Sequence, residues 1–324
     1  MKAPDNVTDT RRVTRIGALA PLSAPGWVEA GRHLLAGLEL AADTNTELVV
    51  RDTAGDPQRA AAAVDELADL GVDAIAGEYH SVVARAAAAR AHARAIPFLC
   101  SSAVLDALTD EPTDHVARIA PPQSRGWSLY AGHLKREGHT HIAVAAQPSV
   151  YWAAGTRILR QYLTVTELAP GELPDAGITA LLLLADQQRT AEIIEAVRRE
   201  PRLADLQLGA PAGQPEFTGH AGVPFLRYLP DRLTPLGDHV QERLQRELGT
   251  TPSFVAFEGY DTILALRARR ARWDDFATSG TRGMITFERV PGVSVWQWAA
   301  APVQIAERDP RNPSTFRVIR SAQD

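Results

Sequence analysis

Residues 16–22 read Ile-Gly-Ala-Leu-Ala-Pro-Leu, and this short apolar run leads into Ser23-Ala-Pro-Gly26. An apolar run followed by small residues and proline predicts a buried strand that enters a loop. Residues 27–43 then carry apolar side chains at helical spacing, and residues 47–52 form a second strand-like run. A strand, a helix and a strand in this order predict two parallel strands joined by a right-handed crossover.

The same alternation continues to about residue 120. Asp56 precedes Pro57, a pair that predicts a helix N-cap followed by proline at the first helical position. The predicted elements are helices at 60–70 and 81–95 and strands at 72–76 and 96–99. The first part of the chain is therefore predicted to form a parallel sheet, and ligands bind beyond the carboxyl ends of such strands.

A second β/α pattern begins near residue 124. The predicted elements are helices at 124–137, 152–162, 188–200, 235–249 and 254–272, and strands at 141–146, 163–168, 178–185 and 206–209. The tail from Ile285 onward alternates like antiparallel strands. The chain of 324 residues is thus predicted to form two lobes rather than one continuous core.

Composition excludes several classes of protein. The formal net charge of −5 disfavours a nucleic-acid partner, because phosphate binding needs clustered positive charge. No run of about 18 apolar residues occurs, so no transmembrane segment is predicted. The single cysteine, Cys100, excludes an intrachain disulfide, and no metal or other cofactor is predicted. Arginine outnumbers lysine 32 to 2, which we interpret first as the imprint of a GC-rich genome.

The first fifteen residues leave the localisation open. They are polar and lack the apolar core of about 7–15 residues that a secretory signal needs. The protein is expected to be extracytoplasmic, periplasmic or at the cell surface, if a leader has been removed. It is expected to be cytoplasmic if Met1 is the native start.

Several segments, taken in order, resemble the type I periplasmic-binding-protein family, in its branched-chain amino acid and amide branch. They are Ile16-Gly-Ala-Leu-Ala-Pro-Leu-Ser23, Gly37-Leu-Glu-Leu-Ala41, Val49-Val-Arg-Asp-Thr53, Val72-Asp-Ala-Ile-Ala-Gly77, Arg118-Ile-Ala-Pro121 and Phe257-Glu-Gly-Tyr-Asp261. Members of that branch are substrate-binding components of ABC transporters. The resemblance implies an α/β fold of two Rossmann-like lobes with a ligand cleft between them and three crossovers.

The resemblance also implies a division of the chain. The N-terminal lobe is expected to comprise residues 1–120 plus 253–285, and the C-terminal lobe residues 121–252 plus 286–324. The segment between Tyr162 and Ile178 is shorter than in the family by about one helix, so the second lobe is expected to be a trimmed version.

In the first lobe, the resemblance implies a carboxylate site built on serines that follow strands. Ser81 and Ser102 are each expected to start a helix and to offer a hydroxyl and a backbone N–H to the ligand, with Ala103 adding its N–H. Ser101 belongs to the same segment and is also a candidate. The alternative is that Ser81 and Ser102 are N-caps that serve only their own helices.

Four more first-lobe residues are candidates at the mouth of the cleft. Trp27 is expected to stack on a ligand, or else to pack on its own lobe. Tyr79 and His80 lie in the loop before Ser81. Glu78, in the same loop, is expected to receive a ligand cation or to pair with an arginine, and the pairing is favoured.

In the second lobe, Tyr151 and Asp186 follow strands and are expected to grip the other side of the ligand. Asp186 has the alternative role of capping the helix that starts near Gln188. Gln123 stands where the family's amino-acid binders carry an acid that holds the ligand's ammonium group. A carboxylate or amide ligand without an amine therefore fits at least as well as an amino acid, because an unpaired buried ammonium is costly.

The function that the resemblance implies is that of a solute-binding protein, not an enzyme. It is expected to clamp a small carboxylate- or amide-bearing ligand, amino acid-like or an aromatic acid, for uptake through an ABC permease. The alternative is a cytoplasmic ligand sensor that uses the same clamp. No Gly-x-Ser-x-Gly motif occurs, no catalytic residue is predicted, and Cys100 is expected to be a buried thiol rather than a nucleophile.

Overall fold

The computed structural model describes residues 13–211, 222–309 and 311–322. The prediction drawn from the polar N-terminus therefore falls outside the described residues, apart from residues 13–15. No helix within these ranges is both long enough and apolar enough to span a membrane.

The first part of the chain forms a parallel sheet, as the alternation predicts. Its strands are β1 Thr14–Ala20, β2 Thr46–Asp52, β3 Ala74–Gly77, β4 Phe98–Cys100 and β5 Val116–Arg118. Helices α1 Val28–Ala41, α2 Pro57–Asp69 and α3 Ser81–Ala93 connect the first four strands. The strands lie in the order β5-β4-β3-β1-β2, and every pair is parallel. All four residues of β3 are buried, because helices cover both faces of the sheet.

Helix α2 shows how local sequence sets these elements. The Asp56 carboxylate accepts a hydrogen bond from the backbone N–H of Arg59 at 2.9 Å, and Pro57 is the first helical residue. Gly71, just beyond the helix, has a φ of +70°, a conformation that glycine adopts readily. Both predicted boundary signals are therefore confirmed.

The second β/α pattern also forms a parallel sheet. Its strands are β6 His141–Ala146, β7 Thr164–Glu167, β8 Ala180–Leu184 and β9 Gln207–Gly209, and its helices are α4 Gln123–Arg136, α5 Val150–Leu159 and α6 Gln187–Arg199. The order is β7-β6-β8-β9. Residues 168–179, which connect β7 to β8, contain no helix, in agreement with the shortened segment expected there.

The rest of the chain supplies elements to both lobes. These are β10 Phe225–Arg227, α7 Pro235–Leu248, α8 Phe254–Ala268, β11 Thr278–Ser279, β12 Met284–Ile285, β13 Phe287–Arg289, β14 Trp296–Trp298, β15 Gln304–Asp309 and β16 Asn312–Ser321. Helix α8 packs along α1, and α7 packs on the same two helices. Strands β10, β15 and β16 form an antiparallel sheet whose Phe225 and Ala306 pack into the core of the second lobe.

The division between the lobes differs from the one expected. Strands β13 and β14 extend the first sheet, with β14 parallel to β5, although residues beyond 285 were expected in the second lobe. Helix α7 also packs in the first lobe rather than the second. The amphipathic pattern of α7 and the alternation of β13 and β14 fit either lobe, so the sequence does not say which surface they cover.

Helices α1 and α8 approach so closely that glycine is required at their contact. A Cβ added at Gly37 would lie 1.9 Å from the carbonyl oxygen of Ala256, and one at Gly259 would lie 2.5 Å from that of Leu34. The contact fixes the start of α8, and with it the acidic residues of that helix, against the carboxyl edge of the first sheet.

Candidate functional site

A cavity of about 330 Å³ lies between the carboxyl ends of the two sheets. The first lobe lines it with Trp27, Tyr79, His80, Ser81, Val82, Ser102 and Val104. The second lobe contributes Gln147, Pro148, Ser149, Tyr151, Trp152 and Asp186, and Tyr228 comes from the segment after β10. We call this cavity the cleft. Its position is the one at which open parallel sheets bind ligands.

Ser81 is the first residue of α3 and lines the cleft. The N-cap is His80, whose backbone is extended and whose side chain makes no cap hydrogen bond. Ser81 is thus not an N-cap, and the helix begins at the cleft with a partial positive charge on its unpaired N–H groups.

Ser102 presents an unsatisfied polar group. Its side-chain oxygen is buried and has no partner within hydrogen-bond geometry among the described residues, although Ser102 lines the cleft. The helix expected to start here is absent, since residues 103–115 contain none. The carbonyl of Val104 instead accepts from the Gln123 N–H at 2.6 Å, and that of Leu105 accepts from Arg118, so tertiary hydrogen bonds replace helical ones.

The two neighbours of Ser102 do not reach the cleft. The Ser101 hydroxyl is buried and lies 2.9 Å from that of Thr262 on α8. Ala103 is also buried and does not line the cavity. Both predicted ligand contacts are therefore turned into the first lobe.

Glu78 is buried and hydrogen-bonded within the first lobe. Its carboxyl accepts hydrogen bonds from the Thr53 hydroxyl at 2.7 Å and from the backbone N–H groups of Tyr79 and His80 at 2.7 and 3.1 Å. Burial raises the pKa of Glu78, and the Thr53 hydroxyl opposes that effect. Among the residues that the structure describes, no arginine pairs with it, and it does not line the cleft, so the favoured arginine pairing is not seen. Its role is to hold the loop before α3.

Aromatic rings form the first-lobe wall. The Trp27 ring centroid lies 5.0 Å from that of His80 and 5.7 Å from that of Tyr79. Trp27 therefore packs on its own lobe and lines the cleft as well. Burial lowers the pKa of His80, which favours the neutral imidazole. In the part of the chain that the structure describes, no group hydrogen-bonds to its buried Nδ1.

A second group of aromatic side chains lines the cleft from the second lobe. The Tyr151 ring lies 4.7 Å from that of Trp152 and 6.0 Å from that of Trp127. Burial raises the pKa of Tyr151 to about 12, so its phenol stays protonated and able to donate. Tyr228 interacts with Tyr151 and was missed in the sequence, because it follows a three-residue strand that shows no recognisable pattern.

Asp186 both caps α6 and lines the cleft. Its carboxylate accepts from the Arg189 N–H at 2.8 Å and from the Gln147 amide at 2.8 Å, and these bonds lower its pKa. The Asp186 N–H donates back to Gln147 at 2.8 Å. Gln123, by contrast, is buried, donates to the Tyr151 carbonyl at 2.9 Å and does not line the cleft.

A buried ionic cluster that the sequence did not predict lies behind Ser102. Arg282 is fully buried and pairs with Glu258 at 3.2 Å and with Asp261 at 3.0 Å. Burial raises the pKa of Glu258 to about 7, while Arg282 and the nearby Ser102 hydroxyl lower it. Neither Ser102 Oγ nor Glu258 Oε2 has a partner within hydrogen-bond geometry. The sequence does carry one signal of this cluster, since two acids, Glu258 and Asp261, lie within the otherwise apolar first half of α8.

Cys100 is buried beneath the cleft floor. Burial raises the pKa of its thiol to about 11, so the thiolate needed by a nucleophile is scarce. Within the described ranges, no three His, Cys, Asp or Glu side chains cluster as metal ligands would.

The profile of a family described as "Periplasmic binding protein" matches residues 13–174, half of the chain. No curated protein sequence matches the chain.

Solved structures with the same architecture span nearly the whole chain. One is the branched-chain amino acid transporter substrate-binding protein LivJ from Streptococcus pneumoniae in complex with isoleucine, with 15% identity, 95% of this chain and 100% of that chain covered, and a TM-score of 0.77. Another is the leucine-binding protein LivK from Thermotoga maritima, with 18% identity, 95% and 98% coverage and a TM-score of 0.75. A third is an ABC transporter solute-binding protein from Rhodopseudomonas palustris in complex with 3,4-dihydroxybenzoic acid, with 15% identity, 95% and 96% coverage and a TM-score of 0.76. They confirm the predicted fold.

Proposed function

Because the chain belongs to the periplasmic-binding-protein family, we propose that it is a solute-binding protein that closes its two lobes on a small organic acid. The observation that carries the proposal is the buried hydroxyl of Ser102, which lies beside Glu258 but has no partner of good hydrogen-bond geometry among the described residues, on a cavity lined by both lobes. Buried polar groups without partners are rare in proteins and are costly unless a ligand or water satisfies them.

The size and lining of the cleft support a small, flat ligand. A volume of about 330 Å³ lies at the small end of the range for ligand pockets. Trp27 and Tyr79 from the first lobe and Tyr151 and Trp152 from the second line this space. Rings in such a position stack on an aromatic or apolar group.

The polar end of the ligand would lie against Ser81 and Ser102. The start of α3 and the two hydroxyls can donate hydrogen bonds to a carboxylate without a basic side chain. Among the described residues, no lysine or arginine lines the cleft, so the start of α3 supplies the positive potential.

The acids near the cleft favour a ligand without an amine. Glu78 accepts only from its own loop and from Thr53, and Asp186 already accepts from Arg189 and Gln147. An ammonium group would have only the exposed Asp186 to pair with. We therefore favour an aromatic carboxylate, the class found in the R. palustris protein, over an amino acid as found in LivJ.

The partner would be an ABC permease and the site of action extracytoplasmic, as in transport systems of this family. Closure would follow the hinge motion by which two-lobed binding proteins enclose a ligand.

Isothermal titration calorimetry with benzoate, hydroxybenzoates, benzamide, leucine and isoleucine tests the proposal. We expect a benzoate to bind more tightly than either amino acid. Ser102→Ala should weaken binding at least tenfold, because a hydrogen bond to a charged group is worth about 1.5–3 kcal/mol.

Ser101→Ala is the matched control, since it removes the neighbouring hydroxyl that faces Thr262 instead of the cleft. Its affinity should stay within about twofold of the parent. If no compound gave heat on titration or raised the melting temperature, the proposal would be refuted. If Ser101→Ala and Ser102→Ala lost the same amount of affinity, the assignment of Ser102 to the ligand would be refuted. Tighter binding of leucine, weakened by Asp186→Asn, would instead identify an amino-acid site.

A further inference from the structure

The second lobe contains another cavity, of about 200 Å³, next to the cleft. It lies at the carboxyl ends of β6, β7 and β8, between α6 and the helix-free connection of residues 168–179. The aliphatic members of its wall include Ala145, Leu168, Leu173, Ala185, Ile193 and Ala196. Residues 168–179 run past this part of the sheet without a helix that would fill the space.

The charged residues of this cavity are all engaged within the protein. Arg189 pairs with Glu192 at 2.8 Å on the same helix. Glu172 accepts a hydrogen bond from the backbone N–H of Ala169 at 2.8 Å. Apart from Gln147, whose amide is engaged by Asp186, the remaining lining residues are apolar, so the cavity suits an uncharged hydrocarbon group and not an ion.

The cavity and the cleft share a wall. Gln147 and Pro148 line both of them, and the Gln147 side chain is held there by its reciprocal hydrogen bonds with Asp186. Pro148 is exposed and Gln147 is half-buried. A chain of a few atoms that passes over these two residues would connect the two spaces.

We propose that this cavity, the tail pocket, receives the apolar tail of the ligand whose carboxylate end lies in the cleft. The proposal rests on the proposed function and narrows its substrate class to aromatic acids that carry an aliphatic or aryl extension. A cavity of about 150 Å³ lined by aliphatic side chains is enough to bind benzene, so the tail pocket can hold a ring or a chain of three to four carbons.

Calorimetry with benzoate and its 4-methyl, 4-ethyl, 4-propyl and 4-butyl derivatives tests this. In the parent protein each added methylene that reaches the tail pocket should tighten binding about fourfold. Ala196→Phe should abolish this gain while leaving benzoate affinity within about twofold, because the new ring fills the pocket from α6. Ile193→Trp fills the same space and serves as a second variant if the first folds poorly.

Ala191→Phe is the matched control, because Ala191 is half-buried on the same helix but does not line the tail pocket. It should retain the gain along the series. Benzoate binding with no gain in the parent, or with an equal gain in Ala196→Phe, would overturn the tail pocket alone. Failure of every member of the series to bind would overturn the proposed function with it.

Discussion

Replacing Glu258 by glutamine should change how stability depends on pH. Glu258 is buried, and the ionisable groups that face it are Arg282, Asp261 and Tyr228, with the Ser102 hydroxyl beside them. Burial raises its pKa from 4.5 to about 7, so burial outweighs the opposing effect of Arg282. The folded protein therefore binds a proton at Glu258 more tightly than the unfolded chain does.

The sign and size follow from linkage. Between about pH 4.5 and 7 the folded state holds more protons than the unfolded state, so this residue lowers the free energy of unfolding as pH rises. This loss of unfolding free energy is complete above the pKa of Glu258 in the folded state and amounts to about 3 kcal/mol. Glutamine keeps the shape and cannot ionise, so the Glu258→Gln protein should lack this loss. At pH 5 the unfolded glutamate is already largely ionised, so part of this loss precedes the measured range. The stability of the variant relative to the parent should therefore improve by about 2–3 kcal/mol from pH 5 to pH 8.

Urea unfolding followed by tryptophan fluorescence at pH 5, 6, 7 and 8 measures this difference. Glu195→Gln, on the exposed face of α6, is the control and should follow the parent within about 0.5 kcal/mol at each pH. The free energy of unfolding of Glu258→Gln could instead change with pH in parallel with that of the parent, or fall more steeply. Either result would show that Glu258 is not a buried acid beside Arg282.

Two further predictions follow from packing and burial. Gly37→Ala should destabilise the fold by about 3 kcal/mol or more, because the added Cβ would meet the Ala256 carbonyl. The control is Gly132→Ala in α4, whose Cβ would lie 3.7 Å from the Arg136 guanidinium and which should stabilise the fold by up to about 1 kcal/mol. Equal urea midpoints for the two variants would contradict the close contact between α1 and α8. Cys100 should react with a thiol reagent at least a hundredfold more slowly in the native protein than in urea, because its pKa is raised to about 11 and it is buried, and rapid native labelling would contradict this.

Periodicity in the sequence predicted most elements, and it failed where tertiary contacts decide. The helix expected at 254–272 ends at Ala268. Residues 269–272 are good helix formers, but the Arg269 guanidinium lies 4.7 Å from the Trp273 ring centroid, and the Trp273 indole donates to the Asp114 carbonyl. That contact with the β5 side of the sheet redirects the chain, and no local pattern reveals it.

The site was predictable in position but not in side-chain direction. The ends of β3 and β8 lie at the edge where parallel sheets commonly bind ligands, which is why the sequence pointed to Ser81 and Asp186, and both line the cleft. At the end of β4, however, Ser102 faces the cleft while adjacent Ser101 faces Thr262. Only the packing of α8 against the first sheet decides which hydroxyl is left for a ligand.

The arginine excess also acquires a physical role at the crossovers. Where the chain passes between lobes, its carbonyl groups leave the sheets and need other donors. The Gln297 side-chain amide donates to the Ala120 carbonyl at 2.7 Å, and the Arg118 Nε donates to the side-chain oxygen Oε1 of Gln297 at 2.8 Å. Arg282 likewise reaches the Tyr228 carbonyl while it pairs with Glu258 and Asp261 on α8.

Arg118 and Arg282 are both buried, and the planar guanidinium of each donates hydrogen bonds to acceptors in different directions. A lysine would offer one compact ammonium in place of that fork, and it could lose its charge on burial. Genome composition alone therefore does not explain Arg118 and Arg282. At these two positions the guanidinium reaches side-chain and backbone acceptors at once, which a single ammonium group would not do with the same geometry.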